Sequence, residues 1–163
     1  MAKVRVLLAD DHVLFRRGLA ALLAGRDDLD VVGEAGDGHE ALEKSLELLP
    51  DVVLMDIQMP LCDGIRATSL IRERVPSTRV LVLTVSDEDA HLFEAIKAGA
   101  HGYLLKNVHP ETLVQGVLGV VKGEAPISGA VAARLLREFS TTRIDTVASA
   151  PDSGLSQREK EIL

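Results

Sequence analysis

Five short aliphatic runs recur along this chain without alternating apolar and polar positions: VRVLLA (4–9), DVVGEA (30–35), DVVLMD (51–56), RVLVLT (79–84) and HGYLLK (101–106). A strand with one wet face alternates, whereas a strand covered on both faces reads as a continuous apolar run. Between the runs lie stretches with helical spacing. Leu14, Leu19, Leu22 and Leu23 form one apolar stripe, and Ala41, Leu42, Leu46 and Leu49 a second. Ile65, Thr68, Leu70 and Ile71 form a third, and Leu92, Phe93, Ile96 and Ala98 a fourth. A helix over about 111–122 carries Leu113, Val117, Val120 and Val121. Strand alternating with helix five times predicts an α/β fold: a five-stranded parallel, doubly wound sheet with helices on both faces and right-handed crossovers.

The totals narrow the function classes. At 163 residues the chain is one ordinary domain plus something short. Aromatics are only 2%, so Val, Leu, Ile and Ala must build the core. A net charge of −7 argues against gripping a phosphate backbone through bulk electrostatics. The single cysteine, Cys62, excludes an internal disulfide framework, fits a reducing compartment and reads as a small packing residue. No apolar run approaches the ~20 residues of a membrane-spanning helix, and no signal peptide follows Met1. The expectation is a cytoplasmic protein with no membrane contact.

Beyond Gly123 the pattern changes. A sixth helix is predicted over about 129–139 (AVAARLLREF), followed by STTRIDTVASAPDSG (140–154), whose composition reads as a flexible linker. LSQREKEIL then opens a new helix, with Ser156 and Glu159 in capping-box spacing. It stops at Leu163 after barely two turns, too short to hold itself in water, so a chain cut at a domain boundary, or a partial chain, is expected. The expected organisation is a first domain over 1–123, an extra helix and linker over 124–154, and the start of another domain over 155–163.

Polar residues mark the strand ends. Asp10 and Asp11 follow the first run, Asp56 ends the third, Thr84 the fourth and Lys106 the fifth. In open parallel sheets the C-terminal strand ends line the ligand crevice at the point where the winding reverses. With strand order 2-1-3-4-5, three carboxylates share one pocket, with a hydroxyl and an ammonium on its far rim. Two carboxylates about 4 Å apart repel by roughly 4 kcal/mol at an effective dielectric near 20, so a positive partner is required. Clustered carboxylates without Cys or suitably spaced His call for a hard cation, and Mg²⁺ is the common intracellular one. An Asp carboxylate can also attack a phosphoryl group and carry it as an acyl phosphate. Mg²⁺, Lys106 and the Thr84 hydroxyl would then each take one phosphoryl oxygen.

The ordered set ADDH, DVVLMDIQMP with DG following, LT and GYLLK resembles the receiver domain of two-component response regulators over about residues 3–122. The resemblance implies a flavodoxin-like fold of order 2-1-3-4-5, with Asp56 as phosphoacceptor. It implies Mg²⁺ held by Asp10, Asp11, Asp56 and the backbone carbonyl of Gln58. It also implies that Thr84 and Lys106 contact the phosphoryl group, and that Tyr103 is the aromatic whose rotamer follows Thr84. The implied partner is a sensor histidine kinase. The implied output is dimerisation, or release of a DNA-binding domain, on phosphorylation. Such a protein assists its own phosphorylation and dephosphorylation without being a multiple-turnover enzyme. LSQREKEIL resembles the opening of a LuxR-type helix-turn-helix domain, which points to the NarL/FixJ-like subfamily of transcription regulators. The recognition helix would lie beyond Leu163, so DNA would be bound only through that further domain. Two positions depart from the pattern: Val85 follows Thr84 where many receivers carry Ala or Gly, and Asn107 follows Lys106 where many carry Pro.

Rival readings exist. GDGHEA (36–41) matches G-x-G-x-x-A between a strand and a helix, with Asp56 twenty residues beyond Gly36. It falls in the second strand–helix unit, however, and leaves Asp10, Asp11 and Lys106 without a task. A tight turn explains its glycines. A phosphatase with an Asp nucleophile would carry a second acid two residues on, where this chain has Gln58. A stand-alone receiver that acts by protein–protein docking is the remaining alternative. Ser86 with Asp87, Glu88 and Asp89 reads as an N-cap and acidic first turn, Arg16 and Arg17 as an exposed helix face, and the five histidines show no zinc spacing.

Overall fold

The computed structural model describes residues 3–85, 89–127, 129, 131–134, 136 and 137. The expected cap at Ser86–Glu88, the linker 140–154 and the helix 155–163 lie outside them. Five strands, β1 (Val4–Ala9), β2 (Leu29–Ala35), β3 (Val52–Met55), β4 (Arg79–Thr84) and β5 (Gly102–Leu105), alternate with five helices. These are α1 (Val13–Ala24), α2 (Gly38–Leu48), α3 (Gly64–Arg74), α4 (Asp89–Lys97) and α5 (Pro110–Val121). All four strand pairings are parallel and the order is β2-β1-β3-β4-β5, as the sequence predicts. The compact unit that carries this sheet spans Met1–Val131. Of the second unit, Ala132–Leu163, residues 132–134, 136 and 137 are described and are helical.

Alternation of side chains along each strand divides the core in two. Val6 and Leu8 of β1, Val52 and Leu54 of β3, Leu81 and Leu83 of β4 and Leu104 of β5 pack with Leu19 and Leu23 of α1 and with Leu113, Val117 and Val120 of α5. The intervening positions face α2, α3 and α4, which pack on one another in series. Several stripe residues expected in the core are outside it. Leu14 is 82% exposed and Leu22, Leu46, Leu49 and Ile96 are also exposed. Leu14 and Leu22 lie with Gly18 along an exposed flank of α1, beside the row of Phe15, Leu19 and Leu23 that packs on the core. Leu49 is already the C-cap of α2, in left-handed backbone (φ 48°). The free edge of β5 is partly covered: the Tyr103 N–H donates to the Pro126 carbonyl at 2.9 Å, and Tyr103 bridges Ile127. Among the described residues no helix is long and apolar enough to cross a membrane.

Candidate phosphoacceptor site

The same alternation that builds the core delivers the site. Asp10, Asp56 and Lys106 each continue the face of Leu8, Leu54 and Leu104 by one step past the strand end. They converge there. The Lys106 Nζ lies 2.6 Å from Asp10 Oδ2 and 3.3 Å from Asp56 Oδ2, with all three side chains at least nine-tenths buried. The positive partner that the paired carboxylates require is therefore in the chain itself, and Lys106 stands between them rather than on a far rim. Asp11 is exposed, yet Asp10, Asp11 and Asp56 each place a ligating oxygen within 4.8 Å of the others. An all-oxygen carboxylate set open to solvent on one side suits a hard divalent cation. Gln58 is exposed two residues past Asp56.

Thr84 ends β4 in strand parity with Val80 and Val82, and its side chain hydrogen-bonds Asp56. Tyr103 is the register partner of Val82 and shares its face. Both are buried, Tyr103 at 1% exposure. The Lys106 N–H donates to the Thr84 carbonyl at 2.8 Å, so Thr84 and Lys106 are joined where the β4–β5 ladder ends. The Val85 side chain, one residue on, is 70% exposed.

Backbone donors orient the acids. The His12 N–H donates to Asp10 Oδ1 and the Ile57 N–H to Asp56 Oδ1, each at 2.8 Å. Burial pushes the Asp56 carboxyl above the usual carboxylate range, and the neighbouring Asp10 charge adds to the rise. Lys106, the Ile57 N–H and a hydrogen bond with Thr84 oppose it without cancelling it. Desolvation of the charged form is the dominant effect.

The turn after Asp56 is built tightly. The Gly64 N–H donates to the Ile57 carbonyl at 2.8 Å, and a Cβ at position 64 would lie 1.8 Å from the Asp56 carbonyl oxygen. Only glycine lets α3 begin this close to the acceptor residue. Asp63 caps α3 by accepting from the Arg66 N–H at 2.8 Å. Between them the Cys62 N–H donates to the Pro60 carbonyl at 2.7 Å across Leu61, whose φ is 67°. This is a γ-turn of the positive-φ kind, a strained conformation for a branched side chain. Leu61 is also 84% exposed.

The GDGHEA segment has a structural occupation. Asp37 caps α2 by accepting from the Glu40 N–H, and Glu40 accepts in return from the Gly36 N–H. The Gly38 N–H is taken by the Cys62 carbonyl, and a Cβ on Gly38 would lie 2.4 Å from that oxygen. The Gly36, Gly38 and Glu40 N–H groups are thus taken up within the protein itself. Cys62 is buried and free, as a packing residue would be.

Arg16 departs from the exposed face read for it. It pairs with Glu34 at 2.8 Å and donates to the Asp10 carbonyl at 2.6 Å, whereas Arg17 does face solvent. This contact was hidden because it depends on β2 lying beside β1. Phe15 was also missed: its ring lies 4.4 Å from the Lys106 Nζ. Its spacing to Leu19 and Leu22 was the signal available.

A family model for the response regulator receiver domain matches residues 6–118. The transcriptional regulatory protein YxjL of Bacillus subtilis is 40% identical over 161 residues, covering 99% of this chain and 74% of that protein. The signal receiver domain of the response regulator NarL from Mycobacterium tuberculosis is 42% identical, with a TM-score of 0.73 over 76% of this chain and 100% of that one. A LuxR-family two-component response regulator from Aurantimonas is 34% identical, with a TM-score of 0.80 over 85% of this chain and 99% of that one. The chain belongs to the response regulator receiver family, as the receiver domain of a NarL-type response regulator.

Proposed function

We propose that Asp56 accepts a phosphoryl group from the phosphohistidine of a sensor histidine kinase, and that the aspartyl phosphate switches a transcription-regulating output. The observation that carries this is the seating of Lys106 between Asp10 and Asp56, at 2.6 and 3.3 Å, beside a third carboxylate. An Asp56 oxygen forms the new bond to phosphorus as the bond from phosphorus to the imidazole nitrogen breaks, and the freed imidazole keeps that electron pair and takes up a proton. Mg²⁺, held by Asp10, Asp11, Asp56 and the Gln58 carbonyl, would neutralise charge on the transferring group. Lys106 would exchange its contact with Asp56 for a phosphoryl oxygen, and the Thr84 hydroxyl would donate to another. Thr84 and Tyr103 share one sheet face, so movement of the hydroxyl toward phosphate frees space that the Tyr103 ring fills. Driving such a switch from 1% to 99% active takes ~5.5 kcal/mol of differential stabilisation. Dimerisation, and DNA binding through a helix-turn-helix domain, are the outputs proposed. On this reading the chain is a phosphorylated switch in the cytoplasm and not a multiple-turnover enzyme.

The test is intact mass after incubation with acetyl phosphate and Mg²⁺. The unmutated protein should gain ~80 Da, one phosphoryl group, only with the metal, and Asp56→Asn should gain nothing. Equal gain in both proteins would remove Asp56 from the role.

A further inference from the structure

Lys106 is held from two sides. On one, its ammonium meets Asp10 Oδ2 at 2.6 Å and Asp56 Oδ2 at 3.3 Å. On the other, it lies 4.4 Å from the centroid of the Phe15 ring. Phe15 sits in the first turn of α1, half-buried against the core that α1 shares with α5. Its ring and the Lys106 stem line the same apolar groove, with Leu19, Leu83 and Leu113 beneath them.

A lysine head on a flexible four-carbon stem has no preferred location of its own. Two carboxylates attract it, but they do so over a range of positions. An aromatic face within about 6 Å adds attraction through the ring quadrupole. The ring also offers no oxygen that competes for the ammonium protons, so these stay available to Asp10, Asp56 and any anionic oxygen entering between them. A leucine at position 15 would keep the apolar packing and lose the attraction.

We propose that Phe15 is a positioning residue for Lys106: its ring face fixes the ammonium where it bridges Asp10 and Asp56. The consequence for phosphoryl transfer rests on the phosphoacceptor reading above; the contact itself does not.

Two measurements test this. In metal-free protein, a double-mutant cycle pairs Phe15→Leu with Lys106→Met and reads the urea midpoint. Phe15→Leu should lower the midpoint more when Lys106 is present than in Lys106→Met. Equal shifts in the two backgrounds would overturn the proposal. In the second, Phe15→Leu should slow phosphorylation by acetyl phosphate about threefold to tenfold, an effect within the span of measured cation–π contacts. Phe15→Tyr, which keeps the ring face, should stay within about twofold of the unmutated rate. Tyrosine and leucine variants slowed alike, or neither slowed, would also overturn it. Should the unmutated protein take no phosphate at all, the phosphoacceptor reading fails, and the metal-free cycle still decides the Phe15 contact.

Discussion

The middle of the sheet and its C-terminal rim are made by different rules. In the middle, Val6, Val52, Val80 and Leu81 are fully buried, and β1, β3 and β4 pair in unbroken parallel register. A few residues further on, at the rim, several local preferences are broken. Two acids are buried beside each other, Leu61 holds a positive φ, and Val13, Leu14, Leu61 and Val85 are exposed. Natural sequences are locally consistent except where function demands otherwise. The contrast teaches that the sheet supplies the rigidity and the rim spends part of it on chemistry.

The most severe way to break this contrast is at Gly64. Gly64→Ala would set a Cβ against the Asp56 carbonyl at 1.8 Å, and the loss should exceed about 4 kcal/mol, with the protein failing to fold at room temperature. Leu81→Ala, fully buried in the middle of the sheet, should cost about 3 kcal/mol by cavity formation. Being remote from the acids, it should leave phosphate uptake by the folded fraction unchanged. Urea denaturation with a parallel uptake assay reads both variants.

Asp56 sharpens the comparison because it should be a liability to stability. Its carboxyl titrates above the ordinary range, chiefly through burial. The folded state therefore binds a proton more tightly than the unfolded one. That contribution is complete below the unfolded value of about 3.9 and is lost as pH rises through the folded value. At neutral pH and without metal, Asp56→Asn should melt roughly 2–4 °C higher than the unmutated protein. The difference should shrink on acidification toward pH 4, and a thermal scan against pH checks it. A smaller effect is expected at Leu61. Leu61→Gly relieves the γ-turn strain at the cost of a more flexible unfolded chain, for a net gain of about 1 kcal/mol in urea denaturation.

Much of this was legible. The continuously apolar runs marked β1, β3, β4 and β5, because burial on both faces leaves no room for polar alternation, whereas the edge strand β2 is largely half-buried and carries Asp30, Gly33 and Glu34. The polar strand ends picked out Asp10, Asp11, Asp56 and Lys106, which the fold brings together. What escaped depended on geometry between elements. Strand parity was available to place Lys106 between Asp10 and Asp56, but only once Lys106 was taken as the next step after Leu104. The leucine stripes were drawn too wide, since periodicity does not fix the angular width of the face a helix buries, and Leu14 and Leu22 lie on the exposed flank of α1 beside Leu19 and Leu23. The Arg16–Glu34 pair joins residues eighteen apart and follows from β2 flanking β1. Nothing in the short stretch before Ile127 announced that it would lie along β5.

The central claim is that one carboxylate, Asp56, becomes the acyl phosphate. Borohydride reduces an acyl phosphate to the alcohol, turning a phosphorylated aspartate into homoserine. Treating the acetyl phosphate-loaded protein with borohydride and mapping the product by tandem mass spectrometry should place homoserine at position 56 alone, and none should form without Mg²⁺. Homoserine at position 10 or 11, or its absence from a protein that has gained the phosphoryl mass, would contradict the account.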